Sequence, residues 1–122
     1  MKFSEEIDNA RYRITGYGQG WVRVNENRIE QSFIVAPQTL ILDWPALSFK
    51  DLQPEHLEQV LTIPAEVIII GSGQRQQLPS PAIWKKLVQH GVGFEIMTTD
   101  AACRTYNVLL SEARPVVGAF FL

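Results

Sequence analysis

Apolar and polar positions divide the chain into two stretches with different rhythms. In the first third the period is two. Residues 20–24 alternate, with Val22 and Val24 on one face and Trp21 and Arg23 on the other. Residues 11–15 read as a preceding strand. The run Gly16-Tyr17-Gly18-Gln19-Gly20 that follows is a bend or bulge signal. Asn25-Glu26-Asn27 fits a hairpin turn. Residues 28–35 form the expected return strand, and residues 39–42 a further short strand closed by Asp43-Trp44-Pro45.

The rhythm then changes. Pro54 suits the first turn of a helix reaching about Leu61, and Pro64 marks its end. Val67-Ile68-Ile69-Ile70 is an unbroken β-branched run, the pattern of a strand buried on both faces, and Gly71-Ser72-Gly73 is expected to break it. Ser80-Pro81 opens a helix on which Ile83, Trp84, Leu87 and Val88 recur at helical spacing, and His90-Gly91 closes it. A strand through Met97, a helix over residues 100–112 and an apolar strand over residues 116–122 complete the order. Right-handed crossovers make the last three strands parallel. The final strand is so apolar that it must be central or covered. The fold class predicted is α/β: a mixed sheet with a β-rich N-terminal part, a C-terminal βαβαβ unit, and helices packed on the sheet. Residues 1–122 form one domain, with residues 1–10 read as a flexible N-terminal segment.

Composition narrows the functional classes. The chain has 122 residues, 46% apolar and 20% charged, ordinary for a soluble globular domain. A net charge of -2 gives no electrostatic reason to expect nucleic acid or an acidic membrane as a partner. The basic residues are scattered, with Lys85-Lys86 the only adjacent pair. One cysteine excludes an intrachain disulfide and a cysteine-based zinc site. His56 and His90 form no ligand cluster, so neither metal nor cofactor is called for. The start, Met1-Lys2-Phe3-Ser4-Glu5-Glu6, lacks the apolar core of a secretory signal and is too acidic for a mitochondrial transit peptide. No run approaches the length of a membrane helix. These features point to a cytoplasmic protein.

Two blocks carry a resemblance. One is Ala101-Ala102-Cys103-Arg104-Thr105-Tyr106-Asn107 with Leu109, Glu112 and Arg114. The other is Ile70-Gly71-Ser72-Gly73, followed by a proline-started helix and Gly91-Val92-Gly93. In this order they resemble a widespread small-domain family of largely unknown function, over about residues 12–122. Its members include bacterial and archaeal single-domain proteins, the mitochondrial respiratory complex I assembly factor 3 and an adipogenesis-associated domain protein. The resemblance implies a mixed α/β domain and, through the mitochondrial member, an assembly role rather than catalysis. It supplies no catalytic residues.

The residues themselves offer four candidate sites. Cys103 stands near a helix N-terminus, where a thiolate can be a nucleophile. Its spacing with Tyr106 and Leu110 puts it instead on the core face, as a small hydrophobe. Gly71-Ser72-Gly73 follows a buried strand as phosphate-binding loops do. A dinucleotide fingerprint would need glycine where Gln76 stands, and a helix opening at once. The bland reading is a tight turn. If the strands are parallel, this loop and Thr98-Thr99-Asp100 share one sheet edge, where open α/β sheets bind ligands. A polar crevice is therefore expected from Gly71, Ser72, Gly73, Arg75 and Thr98. Asp100 caps the following helix and pairs with Arg104. Tyr106 is a candidate general acid, or a core ring with a bonded hydroxyl. Asn107 is a poor mid-helix residue and implies a specific hydrogen bond. Trp84 fits the apolar face of its helix. Trp21 and Trp44 sit near turns, where a partly exposed interface residue is one reading and a place in the core or at its edge is the favoured one. The leading function is a non-enzymatic interaction or complex-assembly module with a protein partner. Small-ligand binding at the crevice comes second, and a cysteine-dependent enzyme last.

Overall fold

A computed structural model describes residues 10–122. The segment expected over residues 1–10 lies outside the described residues apart from Ala10. The first three strands, β1 (Ile14–Gly18), β2 (Trp21–Val24) and β3 (Asn27–Ile29), form an antiparallel sheet in that order. Asn25 makes the two-residue turn between β2 and β3 with a φ of 54°. Its side chain also accepts from Arg13 N (3.0 Å) and donates to Arg11 O (2.8 Å). The glycine run does not end β1. The register shift falls earlier, between Ile14 and Gly16, and the strand continues through both glycines to a turn at Gly20.

The second sheet has five strands in the order β5 (Thr39–Ile41), β4 (Phe33–Ala36), β8 (Val116–Phe121), β6 (Val67–Ser72), β7 (Gly93–Met97). As expected, β6 is parallel to both β7 and β8, and β8 is central and wholly buried. The single return strand expected over residues 28–35 is two strands in different sheets. Polar Glu30-Gln31-Ser32 turns the corner between them. There Ser32 Oγ donates to Ala46 O, and Gln31 Nε2 donates to Leu42 O at 2.6 Å.

A 3-10 turn (Pro54–Leu57) runs into the short helix α1 (Glu58–Leu61). Helices α2 (Pro81–His90) and α3 (Thr99–Ser111) are the two crossovers. Alternation along the strands builds a core on each face of the large sheet. Ile68, Ile70, Val117, Ala119 and Phe121 face α2, α1 and the loop bearing Trp44. Ile69, Val116 and Phe120 face α3 and the small sheet, through Cys103, Tyr106, Val22 and Val24. The small sheet thus lies against the same core as α3. Trp44 is buried, the favoured of its two readings, with its Nε1 donating to His56 O at 3.0 Å. Trp84 is 52% exposed, because Ile83 and Leu87 take the buried face of α2.

Candidate functional site

The C-terminal ends of β6, β7 and β8 converge on the start of α3. Thr98 is the N-cap, its Oγ1 accepting from Ala101 N. The cap therefore falls to Thr98 and not to Asp100, because the helix begins one residue earlier than expected. Asp100 lies in the first turn, where its charge favours the helix dipole. Thr99 joins all three strand ends. Its N–H donates to Gly73 O (2.9 Å), and its Oγ1 accepts from Gly73 N (2.8 Å) and donates to Phe121 O.

Each member of the glycine motif has an architectural task. Gly71 and Ser72 belong to β6 rather than breaking it. A Cβ at Gly71 would stand 2.9 Å from Thr99 Oγ1 and 3.0 Å from both Thr99 Cα and Phe120 Cδ1, so glycine there lets α3 approach the strand. Ser72 Oγ donates to Arg75 O (2.7 Å) and Met97 O (3.2 Å). Gly73 takes a φ of 104°, open only to glycine without strain.

Beside these residues is a cavity of about 240 Å³, bounded by Gly73, Gln74, Thr98, Thr99, Asp100, Leu122 and the hairpin tip Gly18-Gln19-Gly20. Of the crevice residues expected, Gly73, Thr98 and Asp100 line this cavity. Arg75 lies on the adjacent face, beside a separate hollow shared with Ser72 and Lys50. Arg104 does not form an ion pair with Asp100 either. It reaches β1, where its Nη1 donates to Tyr17 Oη at 2.9 Å and its guanidinium stands 5.9 Å from the centre of the Tyr17 ring. The hairpin tip was not foreseeable, since nothing local in the sequence seats it over the strand ends. Leu122 follows β8, whose parallel place in the sheet puts its end on this edge. Asp100 is the charged group lining the cavity, which suits a neutral or cationic guest better than an anion.

The chemically capable side chains of α3 are used in packing. Cys103 is fully buried, and burial, followed by the nearby Asp100 charge, pushes its thiol up to about 12. Burial likewise raises the Tyr106 phenol above its ordinary range. Its hydroxyl donates to Tyr12 O at 3.1 Å. Asn107 makes the specific bonds its position implied. Its Nδ2 donates to Ile14 O (2.7 Å), and its Oδ1 accepts from Ile14 N (3.2 Å). His56 Nδ1 accepts from Gln53 N at 2.9 Å. Among the described residues no group of three or more His, Cys, Asp or Glu is placed to hold a metal ion.

Comparison with known proteins extends this picture. The Xenopus tropicalis protein named NADH dehydrogenase (ubiquinone) 1 alpha subcomplex assembly factor 3 is 33% identical over 118 residues, covering 93% of this chain and 63% of that protein. The chain thus spans less than two thirds of that relative's length. The 13 kDa major membrane protein of Francisella tularensis is 36% identical over 117 residues, covering 95% of each. Among solved structures, a Xanthomonas campestris protein determined by NMR superposes with a TM-score of 0.82 at 42% identity, over 90% of this chain and 83% of that one. The family described as "Protein of unknown function (DUF498/DUF598)" matches residues 14–121, and the chain belongs to it.

Proposed function

We propose that this chain is a non-enzymatic interaction module that assists assembly of a larger protein complex in the cytoplasm. The observation that carries the reading is the likeness, over 93% of the chain, to a relative named as an assembly factor. The burial of Cys103 and the bonded hydroxyl of Tyr106 support it, because they take the candidate nucleophile and the candidate tyrosine acid of α3 into packing. No helix among the described residues is long and apolar enough to cross a membrane. The test is co-purification of the tagged chain at its native expression level. Recovery of a defined set of subunits of one complex, in fixed ratio, is expected. A chain that elutes alone under gentle conditions, with no cross-linked neighbour, would count against the proposal.

A second reading rests on the 240 Å³ cavity at the start of α3. A small polar ligand there would raise the melting temperature. Asp100→Asn would remove that rise while keeping the fold. Gly73 is the poorer probe, because its left-handed backbone would strain any replacement. Ligand panels that never move the melting temperature would dispose of this reading.

A further inference from the structure

The outer face of the three-stranded sheet carries an array that the core does not use. Val22 and Val24 turn inward, so Trp21 and Arg23 turn outward. Arg28 pairs with Arg23 across β2 and β3 and shares that face. The β1 residues opposite Trp21 and Arg23 are Gly18 and Gly16. Neither glycine has a left-handed φ, so backbone freedom does not account for them. Their missing side chains do. A Cβ at Gly16 would stand 2.7 Å from Arg23 Nη2, and one at Gly18 would stand 2.5 Å from Trp21 Nε1. The two glycines make a bed on which Arg23 and Trp21 lie flat.

Further contacts hold the array in place. Arg23 Nε donates to Thr15 Oγ1 and its Nη2 to Thr15 O, both at 3.0 Å. The guanidinium carbons of Arg28 and Arg23 stand 4.7 Å and 6.0 Å from the centre of the Trp21 ring. One indole therefore orients two cations. The one carboxylate paired with Arg28 is Glu30, at 2.8 Å, and both side chains are more than half exposed. Such a pair is weak and easily exchanged for another carboxylate. Among the described residues Arg23 has no carboxylate partner.

From this arrangement we infer that the outer face of the β1–β2–β3 sheet docks an acidic, extended segment of a partner protein, its carboxylates received by Arg23 and Arg28. Guanidinium forks held by an aromatic ring match carboxylates in geometry and keep little hydration to lose. Arg23 and Arg28 give this face the charge that complements carboxylates. The chain as a whole carries -2, which opposes a long polyanion such as RNA. Arg28 already occupies the Trp21 ring on which a base would stack. The inference rests on the interaction reading above and gives it a surface and a partner chemistry.

The experiment is selection of a random-peptide display library on the whole immobilised protein. Synthetic copies of the enriched peptides are then titrated against isotope-labelled protein by NMR. Acidic peptides are expected, with amide shifts centred on Gly16, Gly18, Trp21, Arg23 and Arg28. Arg28→Glu should weaken binding about tenfold or more. Gly16→Ala keeps every charge but displaces the Arg23 guanidinium, and should also weaken binding. Circular dichroism and melting temperature establish that each variant folds, and Arg28→Lys supports the case if Gly16→Ala does not. Failure to enrich peptides, enrichment without acidic bias, or shifts mapping to the Trp84 side of α2 overturns the inference. So does a single-stranded RNA oligonucleotide that binds this face more tightly than the peptides. Peptides that map elsewhere remove this surface but leave the assembly reading standing. A chain without any partner in the co-purification removes the assembly reading whatever the peptides do.

Discussion

Asn107 offers a direct test of how the small sheet is fastened to the rest of the fold. Its amide spans both backbone groups of Ile14, a residue only 5% exposed at the start of β1. Asn107→Ala would leave an N–H and a C=O without partners beneath the helix. An unsatisfied buried backbone group costs about 1–3 kcal/mol, and the half-buried setting selects the lower end for each, about 2 kcal/mol together. Alanine returns about 0.6 kcal/mol of helix propensity. The net loss is about 1.5 kcal/mol, which at a urea m-value of about 2 kcal/mol/M lowers the midpoint by about 0.7 M. Asn107→Asp keeps the acceptor, loses the donor and sets a carboxylate against Ile14 O, so it should lose at least as much near neutral pH. The assay is urea unfolding followed by far-ultraviolet dichroism and tryptophan fluorescence, fitted with a common m-value. An Asn107→Ala midpoint indistinguishable from wild type would refute the claim that these bonds hold β1 to α3.

Other outcomes follow from the same geometry. Burial raises the Cys103 thiol to about 12. The stability it lends is therefore complete below the unfolded thiol value, near 8.5, and is lost as pH rises toward 12. Unfolding free energy should decline from about pH 8.5 to 10, and the decline should flatten in Cys103→Ala; equal slopes would contradict the burial argument. Native protein should react slowly with iodoacetamide at neutral pH, and rapid, complete labelling would show the thiol accessible. Gly71→Ala presses a methyl group into the backbone of Thr99 and should cost about 1–3 kcal/mol in thermal or urea unfolding, with no loss counting against the close approach. Trp84→Gln loses one edge contact to Phe94 and should cost at most about 1.5 kcal/mol, whereas Trp44→Ala should cost about 3–5 kcal/mol. The reverse ranking would contradict the assigned burial.

What the sequence made legible was decided locally or by burial alone. The run Val67-Ile68-Ile69-Ile70 can only be a strand covered on both faces, and the final strand is too apolar for an edge. Asn107 was legible because a poor helix former in mid-helix needs a compensating bond. The break at Glu30-Gln31-Ser32 was hidden because strand propensity continues across it. What turns the chain there are the bonds to Leu42 and Ala46, more than ten residues away. Trp84 departs from its expected burial because α2 buries only a narrow stripe, whereas Trp44 takes the core place favoured for it, in a loop that folds back onto Phe121. At the candidate site, Thr98, Asp100 and the glycine motif were foreseeable from the parallel strand order. The hairpin tip was not, because the packing of one sheet beside another brings it there. The arginines looked scattered in the sequence. Strand register gathers Arg23 and Arg28 around Trp21, and no linear spacing announces that.

The central claim is that the chain acts through assembly of a complex and not through turnover of a substrate. The most direct measurement is a quantitative native-gel profile of protein complexes from cells lacking the chain and from the same cells with it restored. The account predicts that one complex is depleted and its sub-assembly accumulates, and that both return to normal on restoration. A profile unchanged across every complex would contradict it.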